Sequence, residues 1–176
     1  MLAKLLLTTS ALALIFATPM ADYNHTHIFN PRWPPHAKFH TGQTITLSLI
    51  LGFATLFLTY RPDLLLSCPS SRSPISPASS SPSSPAAVHK AALLRRESLK
   101  FAAFTGSIYW LAGLAAWFYP GAEGQDPEFA RGGGVPAFPQ GWAFGFLGGC
   151  ALLGGWLGSR RSEEAKMWSG RRKCVS

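Results

Sequence analysis

Four apolar runs, separated by polar, proline-rich or basic stretches, constrain this chain more than anything else in it. They cover residues 2–18, 41–60, 98–119 and 140–159. A helix that crosses a bilayer needs ~20 predominantly apolar residues, with a range of about 17–25. The first run sits at the short end of that range and the other three fill it. Inside hydrocarbon every backbone amide and carbonyl must be paired within the protein, and helices meet that demand for runs of this length. The charged fraction, 14 %, supports the same reading, because soluble domains carry ~25 %. The expected fold is all-α, a four-transmembrane-helix bundle in a lipid bilayer.

The domain organisation follows from the runs. Residues 1–66 are expected to form a first helical hairpin and residues 97–159 a second. Between them, residues 67–96 hold the low-complexity text SCPSSRSPISPASSSPSSPAA. Such a segment cannot bury enough apolar surface to offset its ordering entropy, so a disordered linker is expected there. Residues 160–176 form a basic tail. Lys4 ahead of the first run also matches the start of a signal peptide. A cut after Ala21 would put Pro19 at the −3 position, which disfavours cleavage, so the first run is expected to persist as a span.

The formal net charge is +8. The basic residues flank apolar runs, and no nucleic-acid motif accompanies them, so the lipid surface rather than nucleic acid is the expected partner. With four spans, thirteen Lys and Arg fall on one side and three, Arg32, Lys38 and Arg131, on the other. Positive charge marks the cytosolic side. Both termini and the Ser/Pro linker are therefore expected in the cytosol, and the loops at residues 22–40 and 121–139 outside it.

The fourth run is crowded with glycine. Gly141 with Gly145, Gly145 with Gly149, and Gly154 with Gly158 each form GxxxG, a spacing that lets helix backbones approach closely in lipid. The partner helix is expected within the chain, with a homo-oligomer through this helix as the alternative. Cys68, Cys150 and Cys174 are too widely spaced for a CxxC pair and are read as free thiols.

Chemistry concentrates in residues 22–40, DYNHTHIFNPRWPPHAKFH, which hold four of the five histidines. Pro35 suits the first turn of a helix, whose amides are unpaired in any case. A helix beginning there puts His36 and His40 on one face, and Gln43, Thr44 and Ser48 extend that face into the bilayer as a polar stripe. The partial positive charge of a helix N-terminus favours neutral imidazole, the form that binds metal or accepts a proton. Asp22, His25 and His27 lie just upstream, and Asp126 and Glu128 come from the other loop on the same side. Three functional readings use these groups. One is a metal site of Asp22, His25, His27, His36 and His40, with a divalent metal as cofactor. Another is acid–base catalysis by His36 and His40 with a carboxylate. The third is a metal-free ligand site using Asn30, Trp33, Gln43, Asp126 and Glu128. Against them stands a structural reading, in which His25 and His27 bond the loop backbone while Arg32, Trp33 and Lys38 anchor at headgroups. The HExxH motif is absent. Asn24-His25-Thr26 is a formal glycosylation sequon close to the first span.

The text THIFNPRWPPHAKFH, followed by a Gln-bearing span and then by FYPG, DPEF and FPQGW, resembles a family of small four-span membrane proteins of fungi and bacteria. Some fungal members of that family carry an acetyltransferase label. The resemblance covers the spans and both outer loops but not the Ser/Pro linker. It implies the four-span fold. Nothing in the chain is similar to the acetyl-CoA site of soluble acetyltransferases. The function expected is binding of a lipid, a small ligand or a partner at the outer face; the alternative is a membrane enzyme or metal protein built on the His/carboxylate cluster.

Overall fold

The computed structural model describes residues 1–67, 85–126 and 138–171, with side chains described except at 67, 85–86 and 162–171. These residues form four helices and no strand. Helix α1 is Leu2–Asp22, α2 is Pro35–Ser67, α3 is Pro85–Ala116 and α4 is Gln140–Arg171. Each contains a segment long and apolar enough to cross a bilayer. Helix α2 starts at Pro35, as the preference of proline for a first turn requires. Helix α3 starts earlier than its apolar run, so residues 85–96, assigned by sequence to the linker, are helical. Their Ala, Leu, Lys, Arg and Glu are strong helix formers, which carries the helix beyond the apolar run. Residues 68–84, which hold the Ser/Pro text expected to be disordered, and residues 127–137, which include Glu128, lie outside the described residues.

Helix α1 is not a uniform α-helix. Residues Ala13–Ala17 form a π turn, closed by the Thr18 amide donating to the Ala13 carbonyl five residues back. Pro19 is the physical reason. A proline ring inside an α-helix clashes with the carbonyl four residues earlier, and a widened turn is one of the ways to absorb that clash. The helix then continues to Asp22 with Thr18 buried.

Packing runs α4 against α3 and α1, and α2 against α3 and α1. The buried face is built from small residues, with Ala3, Ala11, Ala102, Ala103 and Ala151 lying among Leu7, Leu14 and Leu99. The outside carries the large apolar side chains: Phe53, Phe57, Phe101 and Phe104 are each about 60 % exposed. In water that distribution would be unfavourable. Lipid tails solvate it at no cost, and small residues inside let backbones approach. A Cβ on Gly155 would stand 2.3 Å from Ala103 Cβ, and one on Gly154 would stand 2.9 Å from the Ala3 carbonyl oxygen. The Gly154–Gly158 end of α4 thus packs within the chain. Gly145 and Gly149 face open space.

Several polar side chains inside the bundle are paired across helices or with their own helix. Ser10 Oγ donates to the Gly106 carbonyl at 2.9 Å and accepts from Trp110 Nε1 at 2.9 Å. Thr55 and Thr105 hydroxyls meet at 2.8 Å between α2 and α3. The polar stripe of α2 differs from the one read in the sequence. Its buried line is Thr41, Ser48, Thr55 and Thr59, while His36, His40 and Gln43 are exposed. Short hydroxyl side chains bond their own helix's carbonyls, as Thr41 does to Ala37 and Thr59 to Thr55, and so fit a tight contact that imidazoles would not. At the end of the bundle holding the N-terminus, Lys4 bonds Asp63, and Arg95 Nη2 stands 3.8 Å from the same carboxylate.

The glycines give a direct test. Gly155→Ala is expected to destabilise the bundle by ~1–3 kcal/mol through overpacking, and Gly149→Ala by less than about 0.5 kcal/mol. Thermal midpoints of the two variants in nonionic detergent check this; equal midpoints would mean α4 does not pack on α3 as described.

Candidate functional site

The loop after α1 is braced by its own asparagines. Asn24 Nδ2 donates to the Met20 and Ala21 carbonyls at 3.2 and 2.7 Å, which caps the end of α1 and fixes the amide's orientation. Asn24 Oδ1 then accepts from the Thr26 amide at 2.8 Å and from Thr26 Oγ1 at 2.6 Å. The single Thr26 hydroxyl proton is spent on that bond. Its second contact, to His27 Nδ1 at 2.6 Å, therefore assigns the proton of that pair to His27 Nδ1. His27 Nε2 is left facing Asp22 Oδ1 at 4.0 Å. Asn30, 2 % exposed, is the second brace; its Oδ1 accepts from the Arg32 amide at 3.0 Å. These bonds turn the chain so that Trp33 points back over the bundle end.

Beneath this loop lies a cavity of about 640 Å³ between the ends of α1, α3 and α4. Its walls are aromatic: Trp33, Tyr109, Trp110, Trp117, Phe138 and Phe144 all line it. Trp117 and Phe138 stack with centroids 4.8 Å apart, and Trp110 and Phe144 lie 5.7 Å apart. Gly113 is needed here, because a Cβ would meet the Phe144 ring at 2.6 Å. Polar groups reach the same space from Thr18, Asp22, His27, Glu123, Asp126 and Gln140. Two contacts tie the second loop down: Trp33 Nε1 donates to Asp126 Oδ2 at 3.3 Å, and Gln140 Nε2 donates to the Gly124 carbonyl. Tyr109 lies near Asp22 and Thr18. Thr18 Oγ1 is nonetheless left without a hydrogen bond of good geometry, and so is the buried Gln140 Oε1. An aromatic-walled space with a few convergent polar groups can take up a small molecule with an apolar body and a polar head.

The residues singled out from sequence divide into two places. Asp22, His27, Trp33 and Asp126 come together at the cavity, with Asn30 holding their loop. His36, His40 and Gln43 form a separate group on the exposed start of α2, and none of the three lines the cavity. There the two Nε2 atoms are 3.0 Å apart, and His40 Nδ1 is 3.3 Å from Gln43 Oε1. His25 is exposed, its ring 6.0 Å from that of Phe29. Among the described residues no group of three His, Cys, Asp or Glu is gathered closely enough to hold a metal ion, and Asp126 is engaged by Trp33 rather than by His36 or His40. Glu128 lies outside the described residues. Sequence reading did not single out Thr18, Tyr109, Trp110, Glu123 or Gln140. The available signal was positional: aromatic residues cluster at the ends of α3 and α4 that adjoin the second loop.

Asn24 offers a check on the loop. Asn24→Ala removes the end cap of α1 and the brace on Thr26, and is expected to cost about 1 kcal/mol. Hydrogen exchange at the Thr26 and Phe29 amides should accelerate, while exchange in α2 and α4 stays unchanged.

No curated protein and no solved structure matches this chain. The sequence model of one family, described as a family of unknown function, matches residues 7–162. The match takes in the braced loop and every cavity-lining residue named above. The chain therefore belongs to DUF6640, a family of unknown function.

Proposed function

We propose that this protein is a multi-pass membrane protein that binds a small amphipathic ligand in the cavity at the loop end of its bundle. One observation carries the reading: a space of about 640 Å³ walled by Trp33, Tyr109, Trp117 and Phe138, with polar groups from the loops, the helix ends and the Tyr109 hydroxyl. That volume is within the ~300–1,000 Å³ of small-molecule sites. The positive-charge bias supports an orientation with the termini in the cytosol and the cavity at the outer face. A ligand's apolar part would then lie along the aromatic wall and its polar head at the rim, where the membrane meets water. The test is equilibrium binding of tritiated decanol to the full chain in nonionic detergent. Saturable binding of about one molecule per chain above that of empty micelles is expected. Ala143→Phe, which fills the space from an exposed lining position, should abolish it without loss of helix content. Binding that never saturates sinks the reading.

A second reading rests on the histidine pair of α2. Metal–imidazole bonds of ~2.0–2.1 Å meeting at a right angle put two nitrogens ~2.9 Å apart. His36 and His40 Nε2 stand at 3.0 Å, a separation that supports two neighbouring positions of a tetragonal Cu(II) site completed by water. The metal would replace the proton the two rings share. Cu(II) added to the purified protein is expected to give an electron-spin resonance spectrum with nitrogen couplings, lost in His40→Ala. An unchanged spectrum in that variant rejects the site.

A further inference from the structure

We propose that the head group the cavity takes is a protonated amine with N–H donors; the inference rests on the ligand-binding reading above. Charge is the first argument. Asp22, Glu123 and Asp126 are carboxylates in the lining; its one basic group among the described residues is the His27 imidazole facing Asp22, and no Lys or Arg is among them. A carboxylate or phosphate head would meet repulsion from all three, whereas a cation is attracted to them. Aromatic chemistry is the second. The π faces of tryptophan and tyrosine attract cations, and Trp33, Tyr109 and Trp117 surround the same space.

The third argument separates an N–H cation from a quaternary one. Thr18 is 5 % exposed and lines the cavity, and its Oγ1, beside the Tyr109 hydroxyl, makes no other hydrogen bond. Gln140 commits its Nε2 to the Gly124 carbonyl, so its buried Oε1 remains an acceptor without a donor. A buried acceptor left unmade is costly. A primary ammonium carries three donors, enough for a carboxylate and both of these oxygens, while a trimethylammonium carries none. Two sources supply this chemistry, a free alkylamine and the ethanolamine head of a phospholipid.

The experiment compares decylamine, decanol, decyltrimethylammonium and decanoate for saturable binding to the full chain in nonionic detergent at neutral pH. Decylamine is expected to bind at least about tenfold more tightly than decanol or the quaternary ion, and decanoate not measurably. The double variant Asp22→Asn, Asp126→Asn, its fold checked by helix content and thermal midpoint, should bring decylamine down to the decanol level; an unchanged preference for decylamine in that folded variant overturns the proposal. Equal affinities for decylamine and decanol overturn the amine and leave the ligand-binding reading standing. Equal affinities for decylamine and the trimethyl ion overturn the N–H requirement and with it the proposal. No saturable binding of any of the four overturns both readings. Competition from phosphatidylethanolamine but not phosphatidylcholine in nanodiscs identifies the lipid head as the source; competition from neither identifies the free amine.

Discussion

Lipid tails are as apolar as leucine, so a helix already in a bilayer gains little by burying leucine against another helix. What remains is close packing and the pairing of polar groups. This chain uses both, and its architecture depends on them. Alanine, glycine, serine and threonine occupy the contacts, phenylalanine and leucine the outer surface. Ser10 shows how the two devices combine. Its hydroxyl is small enough to sit fully buried between α1 and α3, and it satisfies the Gly106 carbonyl and Trp110 Nε1 at once. Removing it would leave an indole N–H orphaned, a loss of ~1–3 kcal/mol for a buried donor. Trp110 is thereby held in one position, and its other side becomes part of the cavity wall.

The same small-residue contact that closes the lower bundle leaves its upper end open. Near the start of α1 and the middle of α4, Gly154 and Gly155 admit the Ala3 backbone and Ala103. Toward the other end of α4 the residues facing the cavity are Gln140, Ala143, Phe144 and Leu147. Aromatic side chains of α3, α4 and the two loops wall the space there, while α1 contributes Ala17, Thr18, Ala21 and Asp22. The π turn contributes on the α1 side. By absorbing Pro19 it lets α1 run on past the bundle's tight section, bringing Thr18 and Asp22 to the space rather than ending the helix beneath it. π turns are found often at functional sites, and here the physical link is the extra helical length they allow.

Much of the fold was legible in the apolar runs, because a segment long and apolar enough to cross a bilayer pairs its own backbone as a helix. Four apolar runs correspond to four helices, and the start of α2 expected near Pro35 lies at Pro35. Helix α3 was less legible at its start, since residues 85–96 are polar and adjoin low-complexity text, yet their helix propensity extends the span. The site was legible only in part. The loop at residues 22–40 was recognisable by its chemistry, and Asp22, His27, Trp33 and Asp126 do meet. Tyr109, Trp117 and Gln140 were not, because their role arises from where α3 and α4 end relative to each other, and no local spacing in either segment encodes that. The glycine repeat was ambiguous for a similar reason: one spacing serves Gly154–Gly158 inside the chain and Gly145–Gly149 outside it.

The four histidines of the loop were read as one cluster, and the structure separates them by helix phase. His36 and His40 belong to α2 itself, and their direction is set by the face that α2 must bury. Thr41, Ser48, Thr55 and Thr59 occupy that face at spacings of seven and four, matching two helical turns or one. His40 precedes Thr41 by one residue, about 100° round the helix, and His36 stacks one turn above His40. Once the threonine line is inward, both imidazoles must lie off it, exposed at the start of the span. His27 escapes this geometry because it belongs to the loop, where Asn24 and Asn30 rather than a helix decide its direction. The loop asparagines thus determine which of the sequence's polar groups reach the cavity, and the hydroxyl line of α2 determines which do not.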